Sequence, residues 1–343
     1  MYPTETRKLG KSGVALTQLG FGGAPLGELF VRVDEATAAA TLQAAWDAGV
    51  RYYDTAPYYG RGLSEIRFGR FLDAKPRSDF VLSSKVGRWF FPPARPDEFQ
   101  TGPVWAGGLR FEHVHDYSYD GIMRSYEQSQ MRLGMNRIDL LLIHDLDFWF
   151  HATEAKVAAH LSQLFTSGWR ALDELRSHGL VRGVGAGINE LGMMPRFLDA
   201  LPLDFFLVAL RYTLMEQEVL EAEFPYCERA GVGIVIGGVY SSGITATGPI
   251  EGAKYNYSDA TPEVMERVRR MQAVCASHGT PLAAAALQFP LAHPIVASVI
   301  PGAVSPDQVR QNVENFRRPI PASLWSDLKR EGLISERAPT PAD

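Results

Sequence analysis

The sequence predicts an α/β fold, a single (β/α)8 barrel with an N-terminal β-hairpin. Three observations lead there. Short β-branched or aliphatic runs alternate with longer segments of helical period almost from end to end, the pattern of parallel strands joined by helical crossovers. The 343 residues, 46% of them hydrophobic, can bury a large core without disulfides or metals. A doubly wound sheet places a G-x-G-x-x-G fingerprint after its first strand, and both candidates, Gly20-Phe21-Gly22-Gly23-Ala24-Pro25 and Gly183-Val184-Gly185-Ala186-Gly187-Ile188, miss it.

Taken in order, residues 7–17 with the Lys11-Ser12-Gly13 turn read as a small hairpin that plugs one end of the barrel. Eight strands follow at 18–22, 51–54, 80–85, 138–143, 181–186, 205–210, 233–236 and 296–300. Between them, residues 34–48, 119–133, 161–177 and 262–277 have the length and period of crossover helices. The stretch 88–116 holds Pro92, Pro93, Pro96, Pro103 and Gly107-Gly108 and reads as a lid or an oligomer contact. No Ser/Gly-rich linker divides the chain, so residues 1–343 are expected to form one domain.

Composition narrows the partners. A net charge of −5 with acids and bases interspersed, and no Lys/Arg block, points away from nucleic acid and anionic membranes and toward a small-molecule substrate. Cys227 and Cys275 stand far apart with no other cysteine near either, so both are expected to be reduced structural thiols. Residues 1–9 include Glu5, Arg7 and Lys8 without an apolar run, from which a cytoplasmic location is expected.

In a barrel of this kind the loops after the strands form the active face, so polar residues at strand carboxyl ends carry most of the functional information. Three ends stand out: Asp54-Thr55-Ala56-Pro57-Tyr58-Tyr59-Gly60, Ser83-Ser84-Lys85 and Leu141-Leu142-Ile143-His144-Asp145. Taken singly, each residue has a plainer explanation. Asp54 could cap a turn, Tyr59 could pack, Lys85 could be surface, and His144 could be a satisfied core histidine. Together they make a proton relay, because a lysine buried beside a carboxylate stays charged and its charge favours ionisation of a nearby phenol. An imidazole on the neighbouring strand end can then position the substrate oxygen.

The Asp54 to Gly60 run, the lysine ending the third strand and Leu141-Leu142-Ile143-His144 resemble the aldo-keto reductase superfamily in order and spacing. The resemblance extends to Leu19-Gly20-Phe21-Gly22, to the block from Arg132-Leu133-Gly134 to Asp139, and to Ile300-Pro301-Gly302-Ala303 with Gln311-Asn312. It implies a nicotinamide-dependent oxidoreductase on a TIM-type barrel. Tyr59 would be the general acid/base, Lys85 the modulator of its pKa, Asp54 the partner of Lys85, and His144 the residue that orients the substrate. It also implies cofactor binding by Gly22, Gly23, Asp54, Asn189, Tyr240, Ser241, Gly243, Ile300, Gly302, Ala303, Gln308, Gln311 and Asn312.

Further stretches, Asp116-Tyr117-Ser118-Tyr119-Asp120-Gly121, Gly185-Ala186-Gly187-Ile188-Asn189-Glu190 and Arg211-Tyr212-Thr213-Leu214, are similar to L-fucose and D-threo-aldose 1-dehydrogenases and to pyridoxal 4-dehydrogenases of the superfamily. That likeness implies oxidation of an aldose at C1 to the lactone, with pyridoxal oxidation or carbonyl reduction as alternatives. Departures fall on the nicotinamide clamp. Gly187-Ile188-Asn189 stands where V-S-N is usual, Ala209 replaces a glutamine, and the stacking aromatic falls near Gly238, with Tyr240 as its substitute. The resemblance also bears on cofactor choice. NADP-using relatives have a lysine and an arginine where this chain has Gly302 and Gln308, so NAD is expected over NADP.

Aromatic loops at residues 28–30, 89–91 and 148–150 supply the expected pocket walls, with Glu28, Trp89 and Trp149 as the substrate contacts beside Tyr59 and His144. Two readings from other classes remain. One is a metal-dependent hydrolase built on His113-Val114-His115-Asp116, disfavoured because the pair lies in a long loop and not at a strand end; no metal is expected. The other is a barrel that binds nicotinamide without catalysis, disfavoured by intact Tyr59, Lys85 and His144. A homo-oligomer is compatible with all of them.

Overall fold

The computed structural model describes residues 1–341. Its centre is an eight-stranded parallel sheet: β1 Phe21–Gly22, β2 Tyr52–Asp54, β3 Val81–Val86, β4 Leu140–His144, β5 Gly183–Ile188, β6 Phe205–Ala209, β7 Gly233–Gly237 and β8 Val296–Ile300. The strands neighbour one another in sequence order. The sheet closes into a barrel through a parallel bridge between Leu19 and Val299, where the Gly20 N–H donates to the Val299 carbonyl at 2.9 Å. All eight expected strands are present. β5 begins two residues later than expected because the Val181 and Arg182 N–H groups donate to the Leu175 and Asp139 carbonyls instead of to a ladder.

Alternation along the strands sorts side chains into two layers. Tyr52, Leu140, Leu142, Phe205 and Leu207 fill the barrel interior, and Leu9, Val14 and Leu16 of the N-terminal hairpin close its lower end as a plug. Tyr53, Leu141, Ile143, Phe206 and Val208 face outward onto helix residues such as Leu42, Phe68 and Leu133.

Two regions differ from expectation. The fourth crossover spans Glu154–Gln163, a π-turn at Leu164–Gly168, and Trp169–Ser177, so it starts earlier than residue 161. Only Val157 and Leu161 are buried in its first segment, too few apolar positions to show a helical period, whereas its start is marked by Thr153, whose hydroxyl accepts from the Lys156 N–H. The 88–116 insertion has a frame of its own, an antiparallel ribbon in which Arg88–Phe91 pairs with Glu112–His115. No helix among the described residues is long and apolar enough to cross a membrane.

Candidate active site

Register brings the four candidate residues together. Asp54 at the end of β2 pairs with Ser83 on β3, and Lys85 further along β3 pairs with Leu142, two residues before His144. The Lys85 ammonium donates to both Asp54 oxygens at 3.0 and 2.8 Å and to the Thr55 carbonyl at 2.9 Å. Ser83 adds a hydroxyl to Asp54 at 2.7 Å. Tyr59 sits in a tight turn after β2 that depends on Gly60, whose φ is +60° and whose missing Cβ would lie 2.4 Å from the Gly27 carbonyl oxygen. The turn sets the Tyr59 ring 4.8 Å from the Lys85 nitrogen and 5.9 Å from the His144 ring. Its hydroxyl has no protein partner among the described residues, so it is free to meet a substrate.

The electrostatics bear on the resting state of the phenol. Burial raises the Tyr59 phenol well above the ordinary tyrosine value, the Asp54 and Asp145 carboxylates raise it further, and only Arg88 opposes them. The positive charge of Lys85 is matched by Asp54, whose own charge acts on the phenol, so the net direction is up and the resting residue is an acid. Burial likewise lowers His144 well below the ordinary imidazole value, helped by Arg88 and Lys85, so the ring is neutral.

Arg88 is a participant that the sequence did not reveal. It is 1% exposed, and its Nη1 donates to His144 Nδ1 at 3.0 Å and to Asp145 Oδ2 at 2.7 Å. The available signal was an arginine three residues after the strand-end lysine, in Lys85-Val86-Gly87-Arg88.

These groups open onto a cavity of about 290 Å³ lined by Tyr59, Lys85 and His144 together with Leu29, Tyr58, Trp105, Trp149, Phe150 and Tyr257. Trp105 comes from the insertion. The Val104 carbonyl and the Ala106 N–H pair with the chain at Phe30 and Glu28, and the indole is held 5.5 Å from the Tyr58 ring and 6.2 Å from that of Tyr59. An aromatic flanked by small residues, Gly102-Pro103-Val104-Trp105-Ala106-Gly107, was its signal. Tyr257 stands on the tip of a hairpin, Lys254–Tyr255 with Ser258–Asp259, and meets Trp149 edge-on at 6.1 Å.

Of the expected substrate contacts, Trp149 lines the cavity, whereas Trp89 does not: its indole faces Asp116 at 3.4 Å under the Arg124 guanidinium. Glu28 also lies outside the lining, with its carboxylate 3.4 Å from Arg67. His113 and His115 belong to the insertion ribbon, where their Nδ1 and Nε2 accept from Arg61 and Arg88, both at 2.9 Å.

Of the expected cofactor residues, Asn189 lines the same cavity, and others lie on the loops after the first, seventh and eighth strands. Gly22 lies under the Ile300 carbonyl, where a Cβ would come within 2.7 Å, and at Gly23 a Cβ would meet the Asp54 carbonyl at 2.8 Å. Tyr240 donates to Asn312 at 2.8 Å, joining the loop after β7 to the helix that follows β8. Ser241 bonds Thr213 at 3.2 Å, and Gly243 turns the chain at φ +107°. The N–H groups of Gly302 and Ala303 have no acceptor among the described residues, and they lie just before the helix Pro306–Arg317. Asn189 donates to Asp145 and Asp147, leaving its Oδ1 without a partner among the described residues. Free N–H groups ahead of a helix suit a pyrophosphate and a free amide oxygen suits a carboxamide, so the residues fit a nicotinamide dinucleotide. Gln311 is exposed on that helix, and Gln308 Oε1 accepts from the Val304 N–H at 2.9 Å.

The profile of the aldo/keto reductase family matches residues 18–330. The chain belongs to that family. Among its relatives, a pyridoxal 4-dehydrogenase from Microbacterium luteolum is 44% identical over 97% of this chain and 98% of its own, and a D-threo-aldose 1-dehydrogenase from a Pseudomonas species is 39% identical over 96% and 97%. In fold, an aldo-keto reductase from Bacillus halodurans in its holo form superposes with a TM-score of 0.74 at 24% identity, covering 98% of this chain and 99% of that one. This aldo-keto reductase is an NAD(P)-dependent oxidoreductase that acts on small molecules bearing a CH–OH or C=O group.

Proposed function

We propose that this aldo-keto reductase oxidises an uncharged cyclic hemiacetal to its lactone with NAD, and that a ring-fused aromatic hemiacetal of the pyridoxal type suits its cavity better than an aldose. The supporting observation is the cavity wall. Its ionic groups, Lys85 and Asp145, are already matched by Asp54 and Arg88, and the remaining lining is chiefly aliphatic side chains such as Leu29, Ile188 and Leu207 together with the rings of Trp105, Trp149, Phe150 and Tyr257. A volume of about 290 Å³, which the substrate would share with the nicotinamide at Asn189, is at the small end of ligand pockets and leaves room for no more than a single substituted ring. An aldose brings a hydroxyl on nearly every carbon, each needing a polar partner, more than the few polar atoms of a mainly apolar lining supply. Among the described residues no unmatched cation faces the cavity to hold a phosphate, so pyridoxal should be a substrate and pyridoxal phosphate should not.

In this scheme Tyr59 takes the hydroxyl proton of the hemiacetal carbon, and the His144 Nε2–H holds the same oxygen. The nicotinamide supplies the hydride acceptor. Lys85, fixed by Asp54, holds positive charge beside the phenol. The test is NADH formation with pyridoxal, pyridoxal phosphate, L-fucose and D-arabinose beside reduction of the matching aldehydes. Faster turnover of the aldoses would remove the aromatic preference, and turnover only in the reducing direction would remove hemiacetal oxidation.

The raised Tyr59 phenol sets the pH dependence. Oxidation needs the phenolate, whose fraction grows about tenfold per pH unit below the pKa, so oxidation should accelerate throughout pH 7 to 9 while reduction, which uses the phenol, does not. A plateau of the oxidation rate already at neutral pH, with hydride transfer shown to be rate-limiting by isotope effect, would argue that Tyr59 is not the base.

For the cofactor, Asp307 at the start of the helix after β8 would repel a 2′-phosphate, and the nearby Arg310 is paired with that same Asp307. We expect kcat/KM to favour NAD over NADP by about 10–100-fold, the worth of one or two missing charge-assisted contacts. Converting the site is less simple than the sequence suggests, because a Cβ at Gly302 would lie 2.4 Å from the Pro25 ring. Gln308→Arg should therefore raise NADP use, whereas Gly302→Lys should impair both cofactors; steady-state kinetics of the two variants with each cofactor checks this.

A further inference from the structure

We propose that Arg88 is a positioning residue that holds His144 in its Nε2–H tautomer and aims that proton at the substrate oxygen. A guanidinium has only donors, so the His144 Nδ1 that lies 3.0 Å from Arg88 Nη1 must present its lone pair. The ring proton then sits on Nε2. Among the described residues Asp145 is the only other group placed to compete for it, at 3.4 Å, and its oxygens are already engaged by Arg88 at 2.7 Å and by Asn189 at 2.8 Å. Arg88 itself has little freedom. Its Nε donates to His115 at 2.9 Å, and its plane lies 4.3 Å from the Tyr58 ring centre and 4.7 Å from that of Phe150. A lysine could meet the carboxylate or the imidazole; the planar fork meets both and His115 besides.

The charged and titratable groups facing His144 are Arg88 and His115 from the insertion ribbon, Lys85 from β3, Tyr59 from the turn after β2, Tyr117, whose hydroxyl donates to the His144 carbonyl at 2.8 Å, and Asp145 beside it. Without Arg88, Asp145 loses its cation and the imidazole gains a neighbour that favours protonation. Both effects take His144 out of its neutral, Nε2–H form.

This inference rests on the role proposed for His144, but its spectroscopic test does not. In 15N-histidine-labelled protein, the His144 signals, assigned by their loss in His144→Gln, should show a bare Nδ1 and a protonated Nε2 that do not titrate between pH 5 and 9. In Arg88→Met the tautomers should mix and the ring should titrate in that range. Turnover should fall about 100-fold, as expected for a misplaced proton donor, with the KM for NAD within about twofold of wild type and partial recovery on adding guanidinium. Arg88→Lys keeps the pair with Asp145, so it serves if Arg88→Met does not fold; it should show the same mixing and a smaller loss. Unchanged His144 signals in the variants, or a loss of turnover without any change at His144, would overturn the assignment. Wild-type protein inactive on every hemiacetal would instead remove the function proposed above and leave the spectroscopic result standing.

Discussion

Tyr59→Phe should lose about 10²–10⁴-fold in turnover and almost nothing else. Proton transfer by a positioned side chain contributes about that much. The hydroxyl makes no bond to the protein among the described residues, so its removal leaves no orphaned partner, and the stability change should stay within about 0.5 kcal/mol. The ring keeps its contacts with Trp105 and His144. Cofactor affinity, measured by fluorescence titration, should therefore match wild type. A variant that turns over normally would take the proton chemistry away from Tyr59, and one that also loses cofactor affinity would show that the phenol serves binding.

Lys85→Met should be comparably inactive but for two reasons, one of them structural. The ammonium is 1% exposed and satisfies both oxygens of an equally buried Asp54. Removing one partner of a buried pair leaves the other charge uncompensated, at a cost of about 3–5 kcal/mol. Burial already raises the Asp54 carboxyl, and without Lys85 to oppose it Asp54 should take up a proton as the pH falls toward neutrality. The folded-state pKa is then raised, so the loss should be largest at high pH and shrink as acid neutralises Asp54. Denaturant midpoints of Lys85→Met across pH 5 to 9 read this directly: a penalty independent of pH would mean that the pair is not the source. Lys85→Met with Asp54→Leu, which removes both charges, should recover much of the stability and none of the activity.

The barrel and the four central residues were legible because both rest on strong local signals. Strands such as Leu140–His144 are short aliphatic runs ending in polar residues, and neighbouring strand ends must converge whatever the loops do. The walls of the cavity were less legible. In residues 89–91 the ribbon pairing turns Trp89 toward Asp116 and Arg124, and nothing in three consecutive aromatics says which faces the substrate. Trp105, by contrast, is delivered by a backbone bridge to Leu29 across more than seventy residues of chain, a contact that no local pattern encodes. Arg88 was hidden for the same reason, since its partners lie on two distant segments, His115 on one and His144 with Asp145 on the other.

The insertion that supplies Trp105 also begins at Arg88, and this limits how the enzyme can be re-engineered. Loops above a barrel are commonly exchanged as modules to change what an enzyme accepts while the catalytic floor is left alone. Here the module and the floor overlap. Replacing residues 88–116 to enlarge the cavity would remove the guanidinium beside His144, and the resulting chimera would lose turnover with every substrate, old and new. A graft bounded at residues 92–111 would leave both ribbon strands and Arg88 in place and change only the roof. The useful boundary for a specificity swap is therefore set by the ribbon pairing and not by the visible ends of the loop.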